Sequence, residues 1–393
     1  MADGDHPAGS GDNPFANLPM FGEFAKMLAN QGPLNWDAAR QFAALAAANG
    51  ASEPNVDPGV RIQLADLARI LELHVRDLTG LDTVFPEITP VARGVWAQRT
   101  LEAYRPLFTE LAVSLGQRPA TESDAADDDP MAAMMSGLTQ MMAPSLMGMA
   151  VGSMVGRMAQ RTFGQYDLPI PRNDATILVV PANIDQFATD WSLPVDEMRL
   201  WVLAQELTGH TLFSIGSLRD QLATMVRQYV GAFRPDPSAV ADRLSSLELS
   251  TSGDPAQAMQ QLFSDPAVLL GAVQSPEQIA QQPRLDAAIA AVVGYVDYLV
   301  DSVAVRVIGG DALRIAEAVR RRRVEVAPDD LFVERLLGLQ LTNEQVQRGK
   351  EFAAGVVDRV GEAGLTGLFA KSDALPTPAE LDAPGLWIAR LEL

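Results

Sequence analysis

Only one short stretch of this chain, Ile177 to Pro181 (ILVVP), has the β-branched, unbroken apolar character of a strand. A lone strand cannot make a large sheet, because its backbone N–H and C=O groups need partners. The other periodic segments repeat apolar residues at spacings of three and four. In RIQLADLARILELHVRDLTGL these are Leu64, Leu67, Leu71 and Val75, with Gly80 placed as a C-cap. The expected fold class is therefore mainly α, with at most a small β element near 176–180.

The same periodicity predicts helices in MFGEFAKMLAN, WDAARQFAALAAAN, VWAQRTLEAYRPLFTELAVSL and EMRLWVLAQELTGHTLF. Pro194, Asp196 and Glu197 suit the start of the last of these, where proline and acids are both favoured. Further helices are expected in LRDQLATMVRQYVGAF, DPAQAMQQLFS, RLDAAIAAVVGYVDYLVDSVAVRVI, ALRIAEAVRRRR and NEQVQRGKEFAAGVVDRVGEAGLTGLF. The C-terminal LPTPAELDAPGLWIARLEL reads as a proline-rich wrap anchored by Trp387. Residues 1–14 read as a disordered tail, 15–117 as an N-terminal helical region and 118–131 as an acidic linker or loop. Residues 132–393 form the helical core, and 15–117 packs with it as one domain or stands apart.

Residues 131–156 carry no charge. Length alone would suit a membrane span, but Pro144 interrupts the run and Ala, Gly and Ser fill it. Gly148, Gly152 and Gly156 fall four apart, on one helix face, where a neighbouring backbone can approach closely. A tightly packed buried helix is the favoured expectation. Interfacial or membrane contact, and a docking surface within a larger helical assembly, are the others.

The formal net charge is −20, with 48 % hydrophobic and 20 % charged residues. Such acidity argues against nucleic acid and anionic membranes as partners. There is no cysteine, which removes disulfides, thiolate metal ligands and cysteine nucleophiles. The first residues lack a basic stretch followed by an apolar one, so a cytoplasmic location is expected. The run Arg320 to Arg323 is expected to be a solvated helix end that complements the helix dipole. No glycine-rich phosphate loop and no Gly-x-Ser-x-Gly elbow is present.

The residues nearest to a catalytic pattern are Gln205, Glu206, Leu207, Thr208, Gly209 and His210. Zincins place two histidines four apart on one helix to hold zinc, with a glutamate after the first as general base. Here Gln205 and Gly209 stand at the two histidine positions, and Glu206 stands at the base position. The whole chain has three histidines: His6 in the tail, His74 on an N-terminal helix and His210 one residue beyond the second ligand position. Glu206 and His210 are themselves four apart. With Asp297 they could make a two-carboxylate, one-histidine site, or they could simply pair by hydrogen bond in a polar remnant.

EMRLWVLAQELTGHTLF resembles an actinobacterial family of zincin-like, zinc-dependent metallopeptidases, often labelled hydrolases, some linked with coenzyme F420 biosynthesis. The resemblance extends through NPFANLPMFGEFAKML, GPLNWDAARQFA, MGMAVGSMVGRMAQRTFGQYDLPIPR and ILVVPANIDQFATDWSLPVDEMRLW. After the motif it takes in AVVGYVDYLVD, RRRRVEVAPDDLFVERLLGLQL and the C-terminal segment. It implies a zincin-like helical fold, and a third metal ligand near Val293, Gly294 and Tyr295. Neither Val293 nor Tyr295 offers a carboxylate or an imidazole.

Two readings follow from that pattern. In one, the chain is a zincin-like pseudoenzyme with no metal or other cofactor. A groove lined by Gln205, Glu206, His210 and Tyr295 then binds a peptide or a protein. In the other, it is a hydrolase with an altered site that uses Glu206 and His210. The sequence specifies no oligomeric state.

Overall fold

The computed structural model describes residues 32–81, 83–116, 130–172 (side chains from 142), 174, 176–234, 275–325 and 331–392. The tail, the acidic linker up to residue 129, and the helices expected in MFGEFAKMLAN and DPAQAMQQLFS lie outside the described residues.

The chain runs α1 (Trp36–Ala48), α2 (Pro58–Thr79), β1 (Glu87–Pro90), α3 (Arg93–Ala103), α4 (Arg105–Leu115) and α5 (Pro130–Ala159). It continues with β2 (Thr176–Val179), α6 (Pro181–Asp190), α7 (Val195–Phe213), α8 (Gly216–Gly231), α9 (Pro276–Val307) and α10 (Ala312–Val324). The last elements are α11 (Phe332–Leu337), α12 (Asn343–Val360), a 3-10 turn (Glu362–Phe369), α13 (Pro378–Asp382) and α14 (Pro384–Leu391). The fold is mainly α, as the periodicity indicates.

Local chemistry sets many of these boundaries. The Asn35 side chain accepts from the N–H groups of Asp37 and Ala38 and starts α1. Ser275 with Gln278 and Thr342 with Gln345 form capping boxes at α9 and α12. Gly80, at φ +65°, closes α2 where the C-cap was expected.

Several expected boundaries differ; the helix expected over 343–369 ends at Val360, before Gly361 at φ +81°, and a 3-10 turn follows. The segment 95–115 is two helices, broken at Tyr104, because Pro106 has no N–H to continue the first. Pro144 does not interrupt α5, which runs through it. The Pro144 carbonyl accepts from Asn35 N at 2.8 Å.

The strand at 176–179 has a partner that sequence periodicity missed. β1 pairs with it in parallel, Ile88 opposite Ile177 and Pro90 opposite Val179. β1 is four residues long, ends in proline and is half-exposed, so it carries no alternation to detect.

Gly148, Gly152 and Gly156 pack on α1. A β-carbon at Gly152 would lie 2.9 Å from the carbonyl carbon of Ala39, and one at Gly156 2.9 Å from Ala47 N. The first described helix of the N-terminal region thus lies directly on α5. The same device joins α9 to α12, where a β-carbon at Gly294 would come 2.9 Å from Gly349 Cα. α9 is long and apolar enough to cross a membrane, but 72 % of its apolar window is buried inside the protein.

α7 is buried around its circumference, packed among α2, α6, α8, α9 and α10. It therefore carries its polar residues into the interior. Trp387 is fully buried at the C-terminus, its indole N–H donating to the Ala374 carbonyl at 2.7 Å.

Candidate functional site

α7 presents the motif on two faces. Residues four apart share a face and each successive residue turns about 100°. Gln205 and Gly209 face a cavity, while Glu206 and His210 face the turn 162–168 that follows α5.

Glu206 is wholly buried. Its carboxylate accepts from Gln165 N at 2.8 Å and from Tyr166 N at 3.1 and 3.2 Å. Burial pushes its carboxyl well above the usual carboxylate range and Asp167 adds to this, while the two backbone N–H groups oppose the rise. Gly164 makes room for it: a β-carbon there would overlap the carboxyl group and lie 2.9 Å from Glu206 Cγ. The turn is braced further by Trp96, whose indole donates to Gly164 O at 2.9 Å, and by Leu178 N, which donates to Gln165 Oε1 at 3.2 Å. Glu206 is thus a hub that ties α7 to the turn, and Gln165 ties the turn to β2.

His210 shares hydrogen bonds with the Tyr166 hydroxyl at 3.1 Å and with the Ser214 hydroxyl at 3.2 Å. Burial lowers its pKa. The direct Glu206–His210 pair expected from their spacing is not formed. Both side chains reach Tyr166 instead, one at its backbone and one at its hydroxyl. The Tyr166 ring also covers Gly209, where a β-carbon would sit 3.0 Å from Tyr166 Cβ and Cγ. Gly209 thus packs against the Tyr166 ring, and both residues line the cavity described below.

Asp297 does not join Glu206 and His210. It is held by Arg323 at 3.1 and 3.2 Å and by Arg320 at 3.5 Å. The run Arg320–Arg323 is not a solvated helix end, except at Arg321. α10 packs on α9 and α7, which turns Arg320, Arg322 and Arg323 inward. Arg322 lies 3.5 Å over the Phe163 ring and donates to the Arg161 carbonyl, and burial lowers its pKa to about 10. Its charge faces Asp167 at 3.8 Å, and Arg161 pairs with Glu334.

These side chains surround a cavity of about 70 Å³. Gln205, Gly209 and Val293 line it together with Arg161, Asp167, Arg322, Arg323 and Glu334. Glu206, His210 and Tyr295 do not. Tyr295 is buried on α9, its phenol pushed up to about 12 chiefly by desolvation. His74 lies on α2, half-buried and away from the cavity. His6 lies outside the described residues.

Arg161, Asp167 and Glu334 carry no signal in the sequence. They come from the end of α5, the turn after it and α11, and only the fold brings them together. The arginine run was visible in the sequence, but its inward direction was not.

The residues present do not fit a zinc ion. Zinc needs three or four N, O or S ligands in tetrahedral array. Gln205, Gly209 and Val293 supply no imidazole or carboxylate, Glu206 is engaged by the turn, and Asp297 is engaged by two arginines. Among the described residues, no three His, Cys, Asp or Glu side chains are grouped as metal ligands.

Comparison with known proteins agrees with this geometry at the level of fold. A crystal structure described as that of a "putative hydrolase with a novel fold", from Chloroflexus aurantiacus, is similar to the chain at 23 % sequence identity and a TM-score of 0.58. The likeness covers 91 % of this chain and 99 % of that one. No curated protein matches. The sequence model of the zincin-like metallopeptidases matches residues 34–388, nearly the full length. With its motif helix buried at the centre of a mainly helical fold, the chain belongs to the zincin-like metallopeptidase family.

Proposed function

We propose that this member of the family has no zinc chemistry and that its cleft binds a peptide or protein segment. The observation that carries the reading is the commitment of Glu206. A general base must reach a water or a substrate proton within hydrogen-bond distance. Glu206 is wholly buried, accepts from two backbone N–H groups and does not line the cavity. With Gln205 and Gly209 at the ligand positions, base and ligands are lost together.

Binding is supported by what remains. The cavity at the motif joins apolar walls, Phe213, Val293 and Leu339, to buried charged and amide groups. This is the composition of a recognition pocket. The hydrolase alternative, with Glu206 and His210 as its working pair, has no such support. Neither residue lines the cavity, and Tyr166 occupies both.

The test uses the purified, untagged protein with fluorescent, unstructured peptides, with and without zinc and with a chelator. Binding without cleavage, unchanged by the chelator, is the expected result. Peptide cleavage that zinc stimulates and a chelator abolishes would overturn the reading.

A further inference from the structure

Two acceptor atoms in the cavity wall are buried and have no hydrogen-bond partner: Gln205 Oε1 and Glu334 Oε2. Gln205 is 5 % exposed and Glu334 8 %. Buried acceptors are almost always paired, so two in the wall of one cavity point to a ligand that brings N–H groups.

Charge narrows the ligand further. Arg161, Arg322 and Arg323 line the same cavity, and each faces a carboxylate: Glu334, Asp167 and Asp297 respectively. A cationic ligand would meet three like charges, while Asp167, Asp297 and one oxygen of Glu334 are already engaged by them. A carboxylate ligand would set acceptors against the two unpaired acceptors and against Glu334. An uncharged group that donates through nitrogen, and offers an oxygen to a guanidinium, is a carboxamide. Gln205 is itself a carboxamide, and two carboxamides pair reciprocally, donor to acceptor.

Size agrees. A cavity of about 70 Å³ holds on the order of five water-sized groups, close to the heavy atoms of a glutamine side chain. Phe213 and Val293 would cover its methylenes.

We propose that the cavity at the former metal position takes the carboxamide side chain, Gln or Asn, of a bound peptide segment. This rests on the peptide-binding reading above and adds its specificity. The vestigial ligand position has become a side-chain recognition element, with Gln205 and Glu334 as the reading groups.

Calorimetric titration of the full-length, untagged protein tests it. The probes are tripeptides with Gln, Glu, Lys or Met between two alanines, acetylated at the N-terminus and capped as the dimethylamide at the C-terminus so that the side chain is the one primary carboxamide, and N-acetylglutamine dimethylamide alone. The Gln peptide should bind about tenfold more tightly than the other three, the discrimination expected when buried polar groups are left unpaired by the wrong ligand. Gln205→Met, shown to be folded by its circular dichroism, should bring the Gln peptide down to the level of the Met peptide. Equal binding of all four peptides by the wild-type protein would overturn the inference and leave the peptide-binding reading standing. Gln-selective binding with no gain from the flanking alanines would overturn the peptide-binding reading, and with it the peptide origin of the ligand, while leaving the carboxamide selectivity of the cavity intact. Failure of every probe to bind would overturn both.

Discussion

The carboxyl group of Glu206 occupies the space that a side chain on Gly164 would fill, so the two residues are sterically complementary across 42 positions of sequence. A β-carbon at Gly164 would lie 2.9 Å from Glu206 Cγ and overlap the carboxyl beyond it. Overpacking of a filled interior costs about 1–3 kcal/mol, so Gly164→Ala should lower the free energy of unfolding by that amount. Combining it with Glu206→Ala should cost less than the sum of the two single changes, since the clash disappears with the carboxyl. Urea denaturation of the four proteins, taken as a double-mutant cycle, measures the coupling. Strict additivity would mean that the two residues do not share this space.

Glu206→Gln separates structural from catalytic use of the carboxyl. The amide oxygen can replace Oε2, which accepts from both Gln165 N and Tyr166 N, so Tyr166 N loses only its second acceptor, at a cost of about 1 kcal/mol. The pH dependence follows from the raised pKa. The folded protein takes up a proton on Glu206 at higher pH than the unfolded chain, whose carboxyl keeps the ordinary value of 4.5. Wild type should therefore gain stability relative to Glu206→Gln as pH falls from the raised folded pKa towards 4.5, and level off below it. Urea midpoints of both proteins across this range check the sign. A difference that grows in the opposite direction would contradict the burial of the carboxyl.

Asp297 is held between Arg320 and Arg323, with its side chain only 5 % exposed. Removing one member of a buried charged cluster leaves the others unpaired and costs about 3–5 kcal/mol. Asp297→Asn should destabilise by about 3 kcal/mol, since Arg320 keeps Asp301 at 2.6 Å. A thermal melt with an unchanged midpoint would show the cluster to be solvated after all.

The glycine row of α5 offers a sharp contrast. Gly152→Ala must push α5 away from the Ala39 backbone, at about 3 kcal/mol or more. Gly94, in the first turn of α3, has nothing within 4 Å of an added β-carbon. Gly94→Ala should be neutral or stabilise by about 0.4–1 kcal/mol, through the lower entropy of the unfolded chain. Chemical denaturation of the two variants side by side reads this out.

Much of this fold is legible in the sequence for a physical reason. Helices announce themselves through local spacing, and the row Gly148, Gly152, Gly156 announces its close neighbour. The neighbour itself, α1, is not encoded locally. β1 escaped because four residues ending in Pro90 carry no periodicity, and its partner lies nearly ninety positions away. That Gln205 and Gly209 offer no imidazole at the spacing a zincin motif uses is plain from the sequence. The fate of Glu206 is not, because its partners Gln165 and Tyr166 sit in a turn with no chemical signature. Spacing put Glu206 and His210 on one face, as found, but could not show that Tyr166 stands between them. The arginine run read as surface because charge usually is. Only the packing of α10 against α9 and α7 turns it inward.

The zinc content of the untagged protein is the most direct test of the proposal that this chain holds no zinc. It should be measured by mass spectrometry after zinc loading and exhaustive dialysis. Essentially no retained zinc is expected, because Gln205, Gly209 and Val293 cannot ligate and Glu206 and Asp297 are engaged elsewhere. One tightly held zinc per chain, lost in Glu206→Gln or His210→Ala, would contradict that and restore a metal centre to α7.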